Sequence, residues 1–337
     1  MNSELSELGK SVTLFCAELG KNPLLVQGAG GNVSWKEGHT LWVKASGAWL
    51  ADATTRDIFV PVDLAALRAS IDKENFSAVP ELQVASELKP SIETILHALM
   101  PHTVVVHVHA VDVLALLVRD TVHQDLESRI GDALNWVCVD YHKPGAQLAV
   151  SIHAALVGHT DANVVFMKNH GLVIGGASVD DIRNGLTTIT ARLAETSVAT
   201  PAAHAAVAEH PDYIAVPDGA VQALAQNHSL FQRLRTDWAL YPDHVVFLGA
   251  AAHVYESWDA FRHTRSNASP LPELIFIQHC GVFVLPSFSK AKTAQLRCYY
   301  DVMLRQGLDN VLHVMNHQQI DEVLNWDSEK YRQRLEK

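Results

Sequence analysis

Two histidines separated by one residue lie within a run of valines, in residues 104–110 (VVVHVHA). Side chains alternate between the two faces of a β-strand, so His107 and His109 would share one face with Val105. Their Cα atoms would lie roughly 6.5–7 Å apart, which lets both imidazoles reach one metal ion. The chain has 19 histidines, however, so hydrogen-bonded core histidines are the alternative interpretation of this pair.

A third histidine, His170, lies in the sequence NHG at the end of a second predicted strand. Gly171 permits a turn with positive φ, which would direct the imidazole out from the sheet edge. Three histidines with an open coordination position are typical of a catalytic zinc site. An ordinary turn histidine is the alternative.

A carboxylate precedes the histidine pair in KPSIETILHALMPH, residues 89–102. This segment predicts a helix that is capped by Ser91 and ends before Pro101, with Glu93 in its first turn. The helix dipole alone would favour Glu93 there. Because the helix leads directly into the histidine strand, a proton carrier beside a metal ion is the second interpretation of Glu93.

The glycine-rich loop QGAGGNVS, residues 27–34, lacks the dinucleotide fingerprint, and a hairpin rather than a helix is predicted after it. We therefore expect no nicotinamide cofactor. Backbone amides in this loop and in two later turns can still bind an anion, although each is also explained as a plain turn or cap. The candidate anion-binding residues are Gly31, Asn32, Ser46, Gly47 and Ser91.

The elements that would position these residues alternate between helix and strand. Apolar spacing predicts helices over residues 1–22, 111–117 and 147–157, a hairpin at 33–44, and a strand pair in NVVFMKNHGLVIGG, residues 163–176. This alternation is typical of an α/β domain, which we place at residues 1–205.

An Ala- and Pro-rich stretch, residues 199–219, indicates a domain boundary, and a second α/β unit is predicted at 219–337. Within it, PELIFIQHCGVFVLP, residues 272–286, resembles the first strand pair, with Cys280 standing where His170 stands. We interpret this unit as a degenerate half-repeat without a metal site, which serves assembly or covers the first domain.

Composition limits the partners of the chain. Its 337 residues, 48% of them hydrophobic, can bury a large core, and no apolar run reaches about 18 residues. A net charge of −11 without a basic block argues against nucleic acid or membrane as partner. The glutamate-containing N-terminus does not resemble a signal peptide, and the four cysteines form no C-x-x-C motif, so a cytoplasmic protein with reduced thiols is expected.

Six motifs in fixed order carry a family resemblance: GGNVSW, KASG, SIETILH, VVHVHA, VDYHKPG and KNHGLVIGG. The first 200 or so residues resemble the class II aldolase/adducin family. The whole chain is similar to the aldolase half of bifunctional rhamnulose-phosphate aldolase/dehydrogenase proteins. The resemblance implies a three-layer αβα domain with a central mixed or antiparallel sheet, followed here by a smaller C-terminal α/β extension.

The resemblance also implies roles for individual residues. His107, His109 and His170 would be metal ligands, and Glu93 would be the catalytic acid/base that also touches the metal. Tyr141 would donate a proton across a subunit interface in a homo-oligomer, with a tetramer favoured. Zn²⁺ is the expected ion, with Mn²⁺ or Co²⁺ as alternatives. The substrate phosphate would be surrounded by Gly31, Asn32, Ser46, Gly47 and Ser91.

The predicted function is that of a metal-dependent lyase, which reversibly cleaves a ketose phosphate or a related sugar through a metal-stabilised enediolate. Two alternatives use the same scaffold: a sugar-phosphate 4-epimerase or decarboxylase, and a non-catalytic adducin-type binding module. Ile92 stands where the phosphate aldolases carry a second serine, so the sugar and its phosphate are left open.

Overall fold

A computed structural model describes residues 5–195, 204–264, 270–307 and 309–335 of the chain. Its strands are β1 (Asn32–Glu37), β2 (Thr40–Lys44), β3 (Phe59–Asp63), β4 (Val104–Val108), β5 (Trp136–Val139), β6 (Val164–Met167), β7 (Gly171–Gly176), β8 (Ile214–Ala215), β9 (Val254–Tyr255), β10 (Leu274–Ile277) and β11 (Gly281–Val284).

The helices in the same ranges are α1 (Glu7–Gly20), α2 (Leu64–Asp72), α3 (Thr94–Leu99), α4 (Val111–Leu117), α5 (Val122–Arg129), α6 (Ala146–Gly158), α7 (Val179–Leu193), α8 (Ala223–Gln226), α9 (His228–Arg233), α10 (Pro242–Leu248), α11 (Trp258–Thr264), α12 (Lys290–Met303), α13 (His317–Leu324) and α14 (Asp327–Leu335).

The first sheet has seven strands in the order β3-β2-β1-β4-β7-β6-β5. Neighbouring strands are antiparallel except for β5 and β6, which are parallel. The predicted mixed sheet is therefore confirmed. The histidine strand β4 lies at its centre, between β1 of the predicted hairpin and β7.

Helices cover both faces of this sheet and give it three layers. On one face, Val104, Val106 and Val108 pack in a core with residues of α1, α4, α5 and α7. Val105 packs on the opposite face, with residues of α2, α3 and α6. The alternation predicted from VVVHVHA is thereby confirmed, because side chains of successive strand residues enter different cores.

The helix before the histidine strand begins later than predicted, at Thr94 rather than after Ser91. Ser91 Oγ accepts a hydrogen bond from the Glu93 backbone N–H, and Thr94 Oγ1 donates to the Ser91 carbonyl. These local bonds form a turn in place of the first helical turn. Glu93 therefore occupies the N-cap position of α3 and not its first turn.

The C-terminal part of the chain contains a second sheet, in the order β8-β11-β10-β9. Its β10 and β11 form an antiparallel hairpin, and His279 before Gly281 has a φ of 62°, as Asn169 before Gly171 has one of 53°. The two strand pairs thus share their turn conformation. Residues of α4 pack in one core with α10, α12 and α13, so the two parts of the chain are in contact.

The predicted domain division between residues 205 and 219 stays a prediction. Across the described ranges, none of the helices is both long enough and apolar enough to cross a membrane.

Candidate metal centre

The three histidines singled out in the sequence come together at one end of β4. His107 belongs to β4 and is paired with Val173 of β7. His109 follows the last residue of β4, and His170 lies in the turn between β6 and β7. Their ring centroids are 4.8, 4.9 and 5.5 Å apart. One ligand nitrogen from each ring lies within 4.8 Å of the others, and all three side chains are buried.

The turn that carries His170 has a positive φ at Gly171, 158°, as predicted. Asn169 is a second residue with a positive φ in this turn, at 53°. Gly171 is needed for close packing, because a Cβ there would lie 2.6 Å from the Val108 carbonyl oxygen and 3.0 Å from the His109 ring. Asn169 is fixed in turn by donating to the carbonyls of Leu240 and His313.

Contacts at Nδ1 orient two of the rings. His107 Nδ1 lies 2.9 Å from the Leu172 carbonyl oxygen, so Nδ1 carries the hydrogen and the Nε2 lone pair faces inward. His109 Nδ1 lies 3.3 Å from Oδ2 of Asp243, and the two Nε2 atoms are 3.0 Å apart. His170 Nδ1 is buried without a hydrogen-bond partner among the described residues. Convergent imidazole nitrogens of this kind fit a divalent metal ion.

Glu93 completes the cluster from the turn before α3. Its Oε1 lies 3.2 Å from His170 Nε2, and its Oε2 lies 3.6 Å from His107 Nε2. Burial raises the pKa of Glu93, but the surrounding imidazoles lower it by more, so its net pKa is lowered. Burial lowers the pKa of His107 to about 3, against the opposing effect of Glu93. The charge of each group therefore depends on the others, and the carboxylate–imidazole attraction opposes the effect of burial on both.

The five predicted anion-binding residues line one small cavity together with Glu93, His109 and His170: they are Gly31, Asn32, Ser46, Gly47 and Ser91. Its volume is about 30 Å³, well below the several hundred Å³ of a typical small-molecule pocket. The C-terminal region closes it through Pro242 and Asp243 at the start of α10 and through Glu329 of α14. A ligand the size of a sugar would enter only if these residues moved apart.

Three charged residues in this cavity were not predicted from the sequence: Lys44, Asp243 and Glu329. Lys44 is buried, and its Nζ donates to the carbonyls of Ala29 and Ala48 at 2.8 and 2.7 Å. A lysine at the end of an apolar strand was a usable signal, since lysine is rarely buried without a partner. Asp243 and Glu329 gave no local signal, because only the tertiary fold brings them here.

The helix α14 is held over the site by contacts with loops of the first sheet. Lys143 Nζ lies 4.8 Å from the centre of the Trp326 ring, and Lys89 Nζ lies 4.5 Å from that of Tyr331. Gly145, beside the Trp326 indole, has a φ of 94°, a conformation that glycine adopts at little cost. Cation–π contacts of this strength can hold a helix and still release it.

Tyr141 does not line the cavity of the single chain. It packs against the core shared by α4 and the C-terminal helices, and its buried hydroxyl lacks a hydrogen-bond partner within the described ranges. Burial, with a smaller effect of Glu322, raises the pKa of Tyr141. The role of Tyr141 across a subunit interface stays a prediction.

The family model described as Class II Aldolase and Adducin N-terminal domain matches residues 11–197. The curated protein YuxG of Bacillus subtilis (strain 168), named an uncharacterized oxidoreductase, is 30% identical over 174 residues, which cover 47% of this chain and 25% of YuxG. The match thus spans about a quarter of the length of that relative.

Two solved structures are similar to part of the chain. The N-terminal class II aldolase domain of a conserved protein from Thermoplasma acidophilum is 26% identical, with a TM-score of 0.48, covering 57% of this chain and 94% of its own. An L-fuculose 1-phosphate aldolase is 19% identical, with a TM-score of 0.41, covering 56% of this chain and 84% of its own.

Proposed function

The chain belongs to the class II aldolase and adducin N-terminal domain family, and we propose that it is a divalent-metal-dependent lyase that reversibly cleaves a ketose phosphate or a related sugar. The observation that carries this proposal is the buried cluster of three imidazoles beside the carboxylate of Glu93. A non-catalytic binding module of the adducin type would have no use for this cluster.

The proposed ligands are Nε2 of His107, His109 and His170, with Glu93 as a further ligand when substrate is absent. Zinc suits three imidazoles best, and manganese and cobalt are the alternatives. A bound divalent ion would supply Lewis-acid chemistry, by polarising a substrate carbonyl and stabilising negative charge on oxygen.

Glu93 is the proposed proton carrier. Its Oε2 accepts a hydrogen bond of 2.7 Å from Asn32 Nδ2, which leaves Oε1 as the oxygen available to substrate. We propose that Oε1 takes and returns the proton on the carbon next to the substrate carbonyl. Burial keeps water from competing for that proton.

The anionic end of the substrate would lie against backbone amides and hydroxyls of Gly31, Ser46, Gly47 and Ser91. Turns and loops of this kind present several N–H groups to one anion. Lys44, whose ammonium group lines the same cavity, would add a positive charge. Tyr141 of a neighbouring subunit is proposed to donate a proton to the aldehyde oxygen when the carbon–carbon bond forms and to take it back from the resulting hydroxyl when that bond breaks, in a homotetramer whose sites lie between subunits.

The proposal is tested on full-length protein purified without chelator. Metal content is measured first, and ketose 1-phosphates and unphosphorylated ketoses are then screened for release of an aldehyde, with His107→Ala as the inactive control. Cleavage that depends on added metal is expected. Conversion of ribulose 5-phosphate to xylulose 5-phosphate without cleavage would instead assign an epimerase, and a protein that holds no metal would contradict the proposal.

A further inference from the structure

We infer that Asp243, in the C-terminal part of the chain, is a positioning residue that orients His109 in the metal site. The inference rests on the proposed function, because it concerns one of the proposed ligands. It assigns to the C-terminal extension a part in the site itself, in addition to covering the cavity.

The two side chains meet inside the protein. Asp243 Oδ2 lies 3.3 Å from His109 Nδ1, and the residues are only 4% and 5% exposed. A hydrogen on Nδ1 that points to this carboxylate leaves the lone pair on Nε2, which faces His107 Nε2 at 3.0 Å. Carboxylates in this position fix the tautomer of a ligating histidine and raise its basicity.

The loop before β1 is built around this pair. A Cβ at Gly30 would lie 3.1 Å from Asp243 Oδ2 and 3.2 Å from His109 Nδ1. A side chain at this position would crowd both groups, so glycine lets the loop pass close to them. The glycine-rich sequence thus has a use beyond anion binding.

Asp243 is itself held in place from two sides. Gln295 Nε2 of α12 donates to its Oδ2 at 3.3 Å. On the other side, Asn169, which precedes the ligand His170, donates to the carbonyl of Leu240 just before α10. The start of α10 is thereby fixed relative to the turn that carries another proposed ligand.

The position of Asp243 in its helix does not explain why its carboxylate is buried. It occupies the first turn of α10 behind Pro242, where an acidic residue is favoured by the helix dipole. That preference is satisfied by an exposed carboxylate, whereas this one is buried. A buried carboxylate is costly unless it has partners, and the partners here are the imidazole and the amide.

The carboxylate also distinguishes His109 from His107. The Nδ1 of His107 faces a neutral backbone carbonyl, that of Leu172. His109 Nδ1 faces a carboxylate oxygen, that of Asp243, at 3.3 Å. Residues 11–197, which the family model matches, contain all three histidines but lack Asp243. Metal affinity should therefore depend on a residue outside that region.

The test uses full-length Asp243→Ala and Asp243→Asn, with Asp237→Asn as the matched control. Asp237 belongs to the same region and pairs with Arg233, away from the histidines. Zinc affinity of the apoprotein is measured by competition with a chelator. The tautomer of His109 is read from ¹⁵N chemical shifts of histidine-labelled protein, with His109→Gln to assign its signals.

We expect Asp243→Ala to weaken zinc binding about 10- to 100-fold and to shift His109 away from the Nδ1–H tautomer. Asp243→Asn keeps a neutral oxygen acceptor, so we expect it to weaken zinc binding only several-fold. If the alanine variant does not fold, the asparagine variant decides whether Asp243 orients His109. Asp237→Asn should leave both measurements unchanged. Unchanged zinc affinity and an unchanged His109 tautomer in the Asp243 variants would overturn the inference. A wild-type protein that binds no zinc would instead contradict the proposed function. In that case the tautomer measurement still decides the role of Asp243.

Discussion

Asn32 donates a hydrogen bond of 2.7 Å from Nδ2 to Oε2 of Glu93, across the start of β1 and the turn before α3. The sequence placed Asn32 only in an anion-binding loop, but its amide also fixes the carboxylate of the proposed acid/base. The two oxygens of Glu93 thereby differ: one is held by an amide, and the other lies 3.2 Å from His170 Nε2. A carboxylate fixed in this way has one oxygen free to move a proton.

Glu93→Gln should lower turnover at least about 100-fold while metal stays bound, because the general acid/base is lost and the three imidazoles remain. Turnover and metal content are measured on the same preparation. Glu87→Gln, which changes an exposed glutamate of the same segment, is the control. Turnover near that of the control would leave Glu93 as an N-cap residue without a catalytic role.

His107→Ala and His170→Ala should each release the metal and leave the fold intact, since a site with three protein ligands loses most of its affinity with one of them. Metal analysis after dialysis and circular dichroism check the two parts of this prediction. His159→Ala changes an exposed histidine and should retain the metal. Stoichiometric metal in both site variants would show that other residues hold it.

Glu329→Gln should lower KM for a phosphorylated substrate about tenfold and leave KM for an unphosphorylated one unchanged. Glu329 lines the same cavity as Ser46, Gly47 and Ser91, and its negative charge would oppose a phosphate group bound there. Initial rates with a matched pair of substrates give both constants. Equal changes in the two would mean that Glu329 only controls access.

The sequence was informative where chemistry is local. Strand alternation located His107 and His109, and the NHG turn located His170, because each pattern depends on a few consecutive residues. The first residue of α3 was predicted too early, because hydrogen bonds of Ser91 and Thr94 replace the first helical turn. Asp243 and Glu329 could not be found in this way. Asp243 lies 134 residues after His109, and Glu329 lies 236 residues after Glu93. Only the packing of the C-terminal helices brings these two residues to the cavity.

Acid should destabilise this protein through buried neutral histidines. His244 is an example whose pKa is lowered by burial. It packs against Trp238 and Tyr299 and is fully buried, and burial lowers its pKa from 6.5 to about 3. Because the folded pKa is the lower one, the unfolded chain binds a proton below about pH 6.5 that the folded protein does not. The free energy of unfolding contributed by His244 is therefore fully present above pH 6.5 and is lost as pH falls toward 3.

His244→Phe removes this titration and keeps a ring among the same aromatic side chains. It should reduce the pH dependence of the unfolding free energy below about pH 5.5 by up to about 1.4 kcal/mol per pH unit, the value for one proton. Urea unfolding of the wild type and the variant from pH 7.5 to 4.5 gives both slopes. His159→Phe should leave the wild-type slope unchanged, because that histidine is exposed in both states. Parallel curves of unfolding free energy against pH for the wild type and His244→Phe would mean that His244 binds its proton in the folded protein. Acid sensitivity would then come from other buried histidines. His97 is one of them, because burial also lowers its pKa to about 3.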